Sequence, residues 1–408
     1  MHYIMIYAKL IVVFIFTFFF SFNACGQLFK PLGLGIGTPE EMVSEYQPQI
    51  HIEDNVLYAC TRQGLYSKDL TNEGSDWQVI GFEGFPIHDY VRRGNDIFAL
   101  CFDGQKDILF LSHDGGKTYE DATPDAFKKY INECGHVFWY FDRHPTDPNT
   151  FLLTSFTHAG ISLTNDFGKT WKRITDYTPD YMGFHPLSPN IMYECGGGGY
   201  TAELTDFRIS YDNGQTWQAK ADCFSDYGSI YRLGFHPTDP NKWIGGGNRC
   251  VYTTNNNGQT WQTQYLHGDN TPDDYERYAT SWRYVTYDNE NSEVIYMVGS
   301  DISSYLKIIC STDGGKTWRK PCLQPIQSAP YERVFDLKQH GDKLYVYTQA
   351  DVYVVSKAEL FEQATSVRNI TATKGKTTSG VYNLQGIRTN ASVRGIYIED
   401  GKKKLLTK

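Results

Sequence analysis

Five times between residues 112 and 318 the chain repeats Ser/Thr-x-Asp/Asn-x-Gly-x-Thr-Trp/Tyr. A phrase that returns at near-regular intervals constrains the fold before any other feature is read. The copies run from Ser112 to Tyr119, Thr164 to Trp171, Ser210 to Trp217, Thr254 to Trp261 and Ser311 to Trp318. Their third positions, Asp114, Asp166, Asp212, Asn256 and Asp313, stand 52, 46, 44 and 57 residues apart. An interval of roughly 40–50 residues is that of a four-stranded propeller blade plus loop insertions. The residue types suit a tight turn closing a hairpin. Asp accepts backbone N–H bonds across the turn, Gly supplies a positive φ, and the Ser/Thr hydroxyls tie the turn further. The terminal Trp is large enough to plug the gap between neighbouring sheets. A turn copied this often is a structural staple rather than a catalytic group.

A second phrase accompanies the first. Arg143-His144-Pro145-Thr146-Asp147-Pro148, Phe184-His185-Pro186-Leu187-Ser188-Pro189 and Phe235-His236-Pro237-Thr238-Asp239-Pro240 each lie upstream of a staple. Units of strand, turn, strand, loop, strand, staple, strand fall near 47–80, 85–124, 137–176, 181–220, 228–265, 280–322 and 332–364. The first holds an eroded staple around Ser67, Asp69, Gly74 and Trp77; the last holds none. The expectation is an all-β chain with a seven-bladed β-propeller over 37–364, residues near 37–46 completing a terminal blade, and a short C-terminal β tail. Closing the ring removes free sheet edges. The composition agrees: 30 Tyr, 24 Phe, 8 Trp and 37 Gly favour strands and turns over helices.

The staple resembles the Asp-box, or BNR repeat, of sialidases, xyloglucan-cleaving hydrolases, sortilin-type receptors and the related photosystem assembly factors. The His-Pro phrases resemble the link between first and second strands in xyloglucanase-like and sortilin-like blades, so the three His are expected as turn residues. This resemblance implies a propeller whose ligands enter on the rim opposite the staples.

The two ends read differently. Leu10 to Phe22 is an apolar run behind Lys9, of signal-peptide rather than membrane-spanning length, so residues 1–26 are expected to direct export. Phe22-Asn23-Ala24-Cys25-Gly26 resembles a loose lipobox, with Cys25 the lipidated residue, and equally fits ordinary cleavage. Export would give an extracytoplasmic product, either secreted or a cell-surface or outer-membrane lipoprotein. Residues 365–380 read as a linker. Beyond it, Val381-Tyr382-Asn383-Leu384-Gln385-Gly386, Arg394-Gly395-Ile396-Tyr397-Ile398 and a basic end resemble the C-terminal sorting domain of type IX secreted proteins. Removing Cys25 from 9 Cys leaves an even number, which permits disulfides, but several lie in strand-like runs where a buried thiol is the favoured state.

A net charge of −9 with no traceable basic face excludes nucleic acid as a partner. Projecting second-to-third-strand loops and first-strand starts onto the axis gives candidate catalytic groups Glu194, Asp301, Asp351 and His158. Candidate ligand-binding groups on the same rim are Arg62, Trp139, Tyr181, Tyr200, Tyr231, Arg232, Arg249, Trp282, Arg283 and Arg333. Aromatic faces stack on sugar rings, and Arg forks hold carboxylates or sulfates. The expected function is glycan engagement, as a sialidase-superfamily-like glycoside hydrolase or a carbohydrate-binding protein. The alternatives are a non-catalytic protein-docking or assembly propeller, and a polysaccharide lyase with His158 or Tyr200 as base. The expected partner is a glycan or oligosaccharide, or else a protein; a membrane is met only through a lipid on Cys25.

Specific enzyme signatures fail. Phe207-Arg208-Ile209-Ser210 is the nearest phrase to a sialidase Arg-Ile-Pro segment, yet it runs into a staple. Xyloglucanase-like enzymes place two Asp between two propellers, and this chain has length for one. No cofactor is expected and no residues are assigned to a metal. Calcium stays open at the Asp-rich turns, without an EF-hand-like loop to support it. Gly196 to Gly199 and Gly245 to Gly247 lack the Lys-Ser/Thr ending of a phosphate loop and read as tight backbone passages.

Overall fold

The computed structural model describes residues 28–38, 47–72, 74–155, 159–175, 181–195, 207–220, 230–247, 250–266, 281–300, 306–319 and 333–361. It also describes the backbone of 381–382, 395–399 and 402–406; the side chains of Trp139, Ser281 and Ser300 lie outside the described residues. The chain divides into two compact units, Met1–Glu362 and Gln363–Lys408.

The first unit is a seven-bladed β-propeller of antiparallel sheets. Blade 1 is formed by Ile50–Glu53, Val56–Thr61, Gly64–Asp69 and Gln78–Gly81. Blades 2 to 5 repeat this order, starting with Ile87–Arg93, Phe138–Arg143, Tyr181–Phe184 and Arg232–Phe235. Blade 6 pairs Ser281–Tyr287, Ile295–Ser300 and Leu306–Ser311, with a single bridge from Cys310 to Arg319 in place of an outer strand among the described residues. Blade 7 uses Val334–His340, Lys343–Thr348 and Val352–Ser356, and its outer strand is Lys30–Pro31 from the other end of the chain. The ring therefore begins before residue 37, and the closing strand lies upstream of the 37–46 segment expected to supply it. Hydrogen bonds from Leu32 N to Val352 O and from Thr38 N to Gln349 O continue the closure.

Each staple forms the expected turn. Asp212 Oδ1 accepts N–H from Thr216 at 2.8 Å, while Oδ2 accepts the Thr216 hydroxyl at 2.6 Å. Ser210 Oγ donates to Asp212 and accepts Gly214 N–H at 2.8 Å. Gly214 has φ +76° and Asn213 before it +60°, so two successive residues are left-handed. In the third staple-bearing blade counted from the N-terminus the pair is Asn213-Gly214, and in the second it is Phe167-Gly168, where Phe167 tolerates φ +59° because its ring is buried in the core. Only the glycine half of this pair was expected.

The staple turn also bonds to the first-to-second-strand turn of its own blade. Gly115 N donates to Asn95 O, Phe167 N to Asn149 O, Asn213 N to Asn190 O, Asn257 N to Asn241 O and Gly314 N to Glu293 O. Staples and His-Pro turns thus share one rim. The His are turn residues, as the sequence indicated: Nδ1 of His144, His185 and His236 accepts N–H from Asp147, Ser188 and Asp239, each at 3.0 Å. Their rings pack against Phe184, Phe235 and Tyr287 of the following blade.

The staple aromatics plug the seams. Trp171 lies against Phe98 of blade 2 and Phe151 of blade 3; Trp261 lies against Phe207 of blade 4 and Trp243 of blade 5. Burying each such side chain contributes on the order of 1.5–3 kcal/mol. Gly245 and Gly246 are tight backbone passages: a Cβ on Gly246 would stand 2.2 Å from Trp282 O of blade 6. Cys60, Cys101 and Cys310 are buried free thiols and Cys134 an exposed one, while Cys195 and Cys250 are buried in blades 4 and 5; Cys25, Cys223 and Cys322 lie outside the described residues.

Among the described residues two helices interrupt the strands, α1 (Asp125–Cys134) between blades 2 and 3 and α2 (Lys357–Phe361) after blade 7. Phe127 and Ile131 bury the inner side of α1. The second unit holds a three-stranded antiparallel sheet of Val381–Tyr382, Gly395–Glu399 and Lys402–Leu406.

Candidate functional site at the axial mouth

The starts of the first strands converge around the ring axis, opposite the staples, and enclose a cavity of about 180 Å³. Its lining is Gln47, Tyr140, Tyr181, Tyr231, Arg232, Arg283 and Tyr284. Arg232 is the centre of this group. Its guanidinium carbon lies 4.5 Å from the Tyr181 ring centroid, 4.6 Å from Tyr284 and 5.6 Å from Tyr140. Such a cage stabilises a desolvated cation through the negative ring faces. Burial alone would disfavour the charge, but Tyr284, Tyr181 and Asp336 hold Arg232 still more firmly protonated than usual. Arg283 stands exposed above, over the Tyr231 ring at 5.3 Å.

The cage is held from behind by hydrogen bonds. Tyr140 Oη accepts Met182 N–H at 2.8 Å, and Tyr284 Oη donates to Phe335 O. Three Asp on first strands clamp neighbouring blades. Asp89 accepts Phe141 N–H at 2.9 Å, Asp142 accepts Phe184 N–H at 2.8 Å and Asp336 accepts Ile50 N–H at 3.2 Å. A first strand has no neighbour on its axial side, so these carboxylates satisfy backbone donors that would otherwise be orphaned. Bulges at Ile87/Asp89 and Val334/Asp336 accompany two of the clamps. Asp336 also pairs with Lys338 at 2.9 Å and stands 4.0 Å from Arg232. Burial pushes the Asp142 carboxyl up to about 7.

The cavity brings together Tyr181, Tyr231, Arg232 and Arg283 from the expected ligand-binding set. Others go elsewhere. Trp282 is fully buried in the seam between blades 5 and 6, because the bulge between Trp282 and Tyr284 turns Tyr284 to the cavity instead. Arg62 donates to Gly37 O at 2.9 Å, tying a blade 1 turn to the N-terminal segment. Arg333 is exposed at the start of blade 7; burial and then nearby Arg283 lower its pKa. The Trp139 side chain, Tyr200 and Arg249 lie outside the described residues.

Of the candidate catalytic carboxylates, the two among the described residues have other partners. Glu194, on the second strand of blade 4, is sealed between sheets, 3.1 Å from Arg208. Burial outweighs that cation and pushes Glu194 up to about 7. Asp351 caps backbone instead, accepting Val352 N–H at 2.7 Å and Leu34 N–H at 3.1 Å, which secures the ring closure. His158 and Asp301 lie outside the described residues. Gln47 and Tyr284 were missed by sequence reasoning. Gln47 precedes any strand pattern, and Tyr284 shares its strand with Trp282 and Arg283, so only the bulge reveals which of them faces the axis.

Repeated staples on a seven-bladed ring define a β-propeller that carries Asp-box repeats. The repeat described as BNR/Asp-box matches residues 208–219 and 309–320. A probable oligoxyloglucan-reducing end-specific xyloglucanase from Neosartorya fischeri is 24% identical over 239 residues, 55% of this chain and 28% of that protein. The chain thus spans under a third of that relative's length. Among solved structures, YCF48 bound to D1 peptide superposes at TM-score 0.54 and 14% identity, covering 81% of this chain and 97% of that one. The GH74 xyloglucanase from Xanthomonas campestris gives 0.52 and 15%, covering 80% of this chain and 53% of that one. At these identities the structural likeness establishes the fold.

Proposed function

We propose that the chain is an exported propeller that binds an acidic glycan, with the sugar carboxylate entering the axial mouth. The observation that carries this reading is the cavity itself: Arg232 fixed in a tyrosine cage below, Arg283 on Tyr231 above. A guanidinium fork fits a carboxylate bidentately, and Tyr faces stack on pyranose rings. Among the described residues no carboxylate pairs with Arg283 within 4.0 Å. Binding is favoured over hydrolysis because Glu194 and Asp351 are committed to Arg208 and to backbone donors. A glycosidase needs two carboxyl groups facing each other across the substrate, roughly 5–9.5 Å apart. The apolar run Leu10 to Phe22 supports export, and the tail beyond residue 381 supports a sorting role.

The test is titration calorimetry with oligouronates and with their carboxyl-reduced counterparts. Binding is expected for the acidic series alone, and Arg283→Ala is expected to weaken it about 10–100-fold, the loss of a charge-assisted hydrogen bond. The same variant should leave the unfolding midpoint unchanged. Equal binding of neutral and acidic sugars, or none, overturns the reading.

A second reading, docking of a protein segment, has its own support. The YCF48 structure is matched over 97% of its length, whereas the Xanthomonas xyloglucanase is matched over about half. A single ring is the shared unit, and that neighbour holds a peptide. Acidic peptides binding where oligouronates fail would select this reading.

A further inference from the structure

Away from the mouth cage, blade 2 and the link leading to blade 3 bring together His88, Asp107 and His136. His88 lies near the start of blade 2's first strand, Asp107 opens its third strand, and His136 follows α1. One ligand atom from each of the three lies within 4.8 Å of the others. The two imidazole centroids are 4.9 Å apart with ring planes at 22°. Two histidines on one tetrahedral ion, with metal–nitrogen bonds of about 2.1 Å, bring their ring centroids to about 5 Å.

The carboxylate decides which nitrogens face the site. Asp107 Oδ2 accepts N–H from Val137 at 2.6 Å and Phe138 at 2.8 Å, which fixes the side chain. Its Oδ1 lies 2.8 Å from His136 Nδ1. A carboxylate only accepts, so Nδ1 carries the proton and Nε2 carries the lone pair. This is the carboxylate–histidine arrangement that orients metal-bound imidazoles. His136 Nε2 and His88 Nδ1 are both enclosed in protein. His88 and Asp107 are each 1% exposed.

We propose that His88 and His136 are direct ligands of a divalent transition ion of the zinc class, with Asp107 as the carboxylate that positions His136. Imidazole nitrogen suits zinc, nickel and copper, whereas calcium and magnesium require oxygen. The ion joins the first strand of blade 2 to the link after α1, where Asp107 N already donates to Gly135 O at 3.1 Å. Its consequence is structural: it pins the helix that interrupts the repeat. Sequence reasoning assigned no metal because the three residues are separated by 19 and 29 positions and share no short motif.

The experiment is a Zn(II) titration of the full chain after removal of metal by a chelator, followed by calorimetry and thermal unfolding. One ion per chain and a raised unfolding temperature are expected. Asp107→Asn is expected to weaken binding about 10-fold or more, as loss of an outer partner does, and His88→Asn with His136→Asn to abolish it. Because these variants alter a buried cluster, the wild type is also read directly by zinc K-edge absorption, which should show two imidazole ligands. Absence of binding by the wild type overturns the proposal. So does a spectrum without imidazole scattering, or a folded double variant that binds zinc as tightly as the wild type.

Discussion

The two rims of the ring are built by opposite means. On the staple rim, each turn closes on itself: Thr118, Thr170, Thr216 and Thr317 bond to an Asp four residues earlier, and the same geometry returns blade after blade. At the mouth, Arg232 of blade 5 meets Tyr140 of blade 3, Tyr181 of blade 4 and Tyr284 of blade 6, so one arginine is caged by side chains drawn from separate blades. Repetition makes the scaffold, and departure from repetition makes the site. The difference extends to the carboxylates. Asp114 and Asp212 are held down to about 2, the first chiefly by Thr118 N–H and the second chiefly by the Thr216 hydroxyl. Asp142 and Glu194, on the strands behind the mouth, are pushed up to about 7 by burial.

The contrast can be broken most forcefully at the scaffold. Gly246→Ala forces a Cβ to 2.2 Å from Trp282 O, so blades 5 and 6 must separate. Overpacking of this kind costs about 3 kcal/mol, read as a lowered midpoint in urea. A midpoint within error of the wild type would show that the seam yields freely.

The pH dependence sharpens it next. A carboxylate with a depressed folded pKa stabilises above its unfolded pKa, and that contribution is lost as pH falls through the folded value. The staples should therefore lose stability between about pH 4 and pH 2. Glu194 and Asp142 have the opposite sign: the folded state holds their protons more tightly, so stability is greatest below about 4 and declines as pH rises towards 7. Glu194→Gln should make the decline from pH 4.5 to 7 shallower and leave the acid limb untouched, in denaturation midpoints measured across that range. An unchanged slope would mean that Glu194 does not titrate there.

The smallest effect belongs to the one staple that carries Asn. Asn256 Oδ1 accepts Thr260 N–H at 3.0 Å and its amide donates to the Thr260 hydroxyl at 2.9 Å, where the other staples have a carboxylate accepting both. Asn256→Asp should restore the charge-assisted pattern and raise stability by about 0.5 kcal/mol. A loss would show that this turn has adapted to the amide.

The amino-acid sequence by itself determined the ring. A staple whose hydrogen bonds span four residues is a local object, so its five copies, the His-Pro turns and the blade spacing could all be read before any contact was known. The glycines at Gly245 and Gly246 belong to the same class, since a residue without a side chain announces a close approach. Tertiary structure alone decided the mouth. Whether Trp282 or Tyr284 faces the axis depends on a bulge, and whether Glu194 and Asp351 are free or committed depends on Arg208 and on Leu34, the latter 317 residues away. The closing strand at Lys30–Pro31 and the cluster of His88, Asp107 and His136 are likewise products of chain crossing. Local hydrogen-bond geometry is written in adjacent letters; a pocket assembled from four blades is fixed only when the ring shuts and packing sets each strand's rotation.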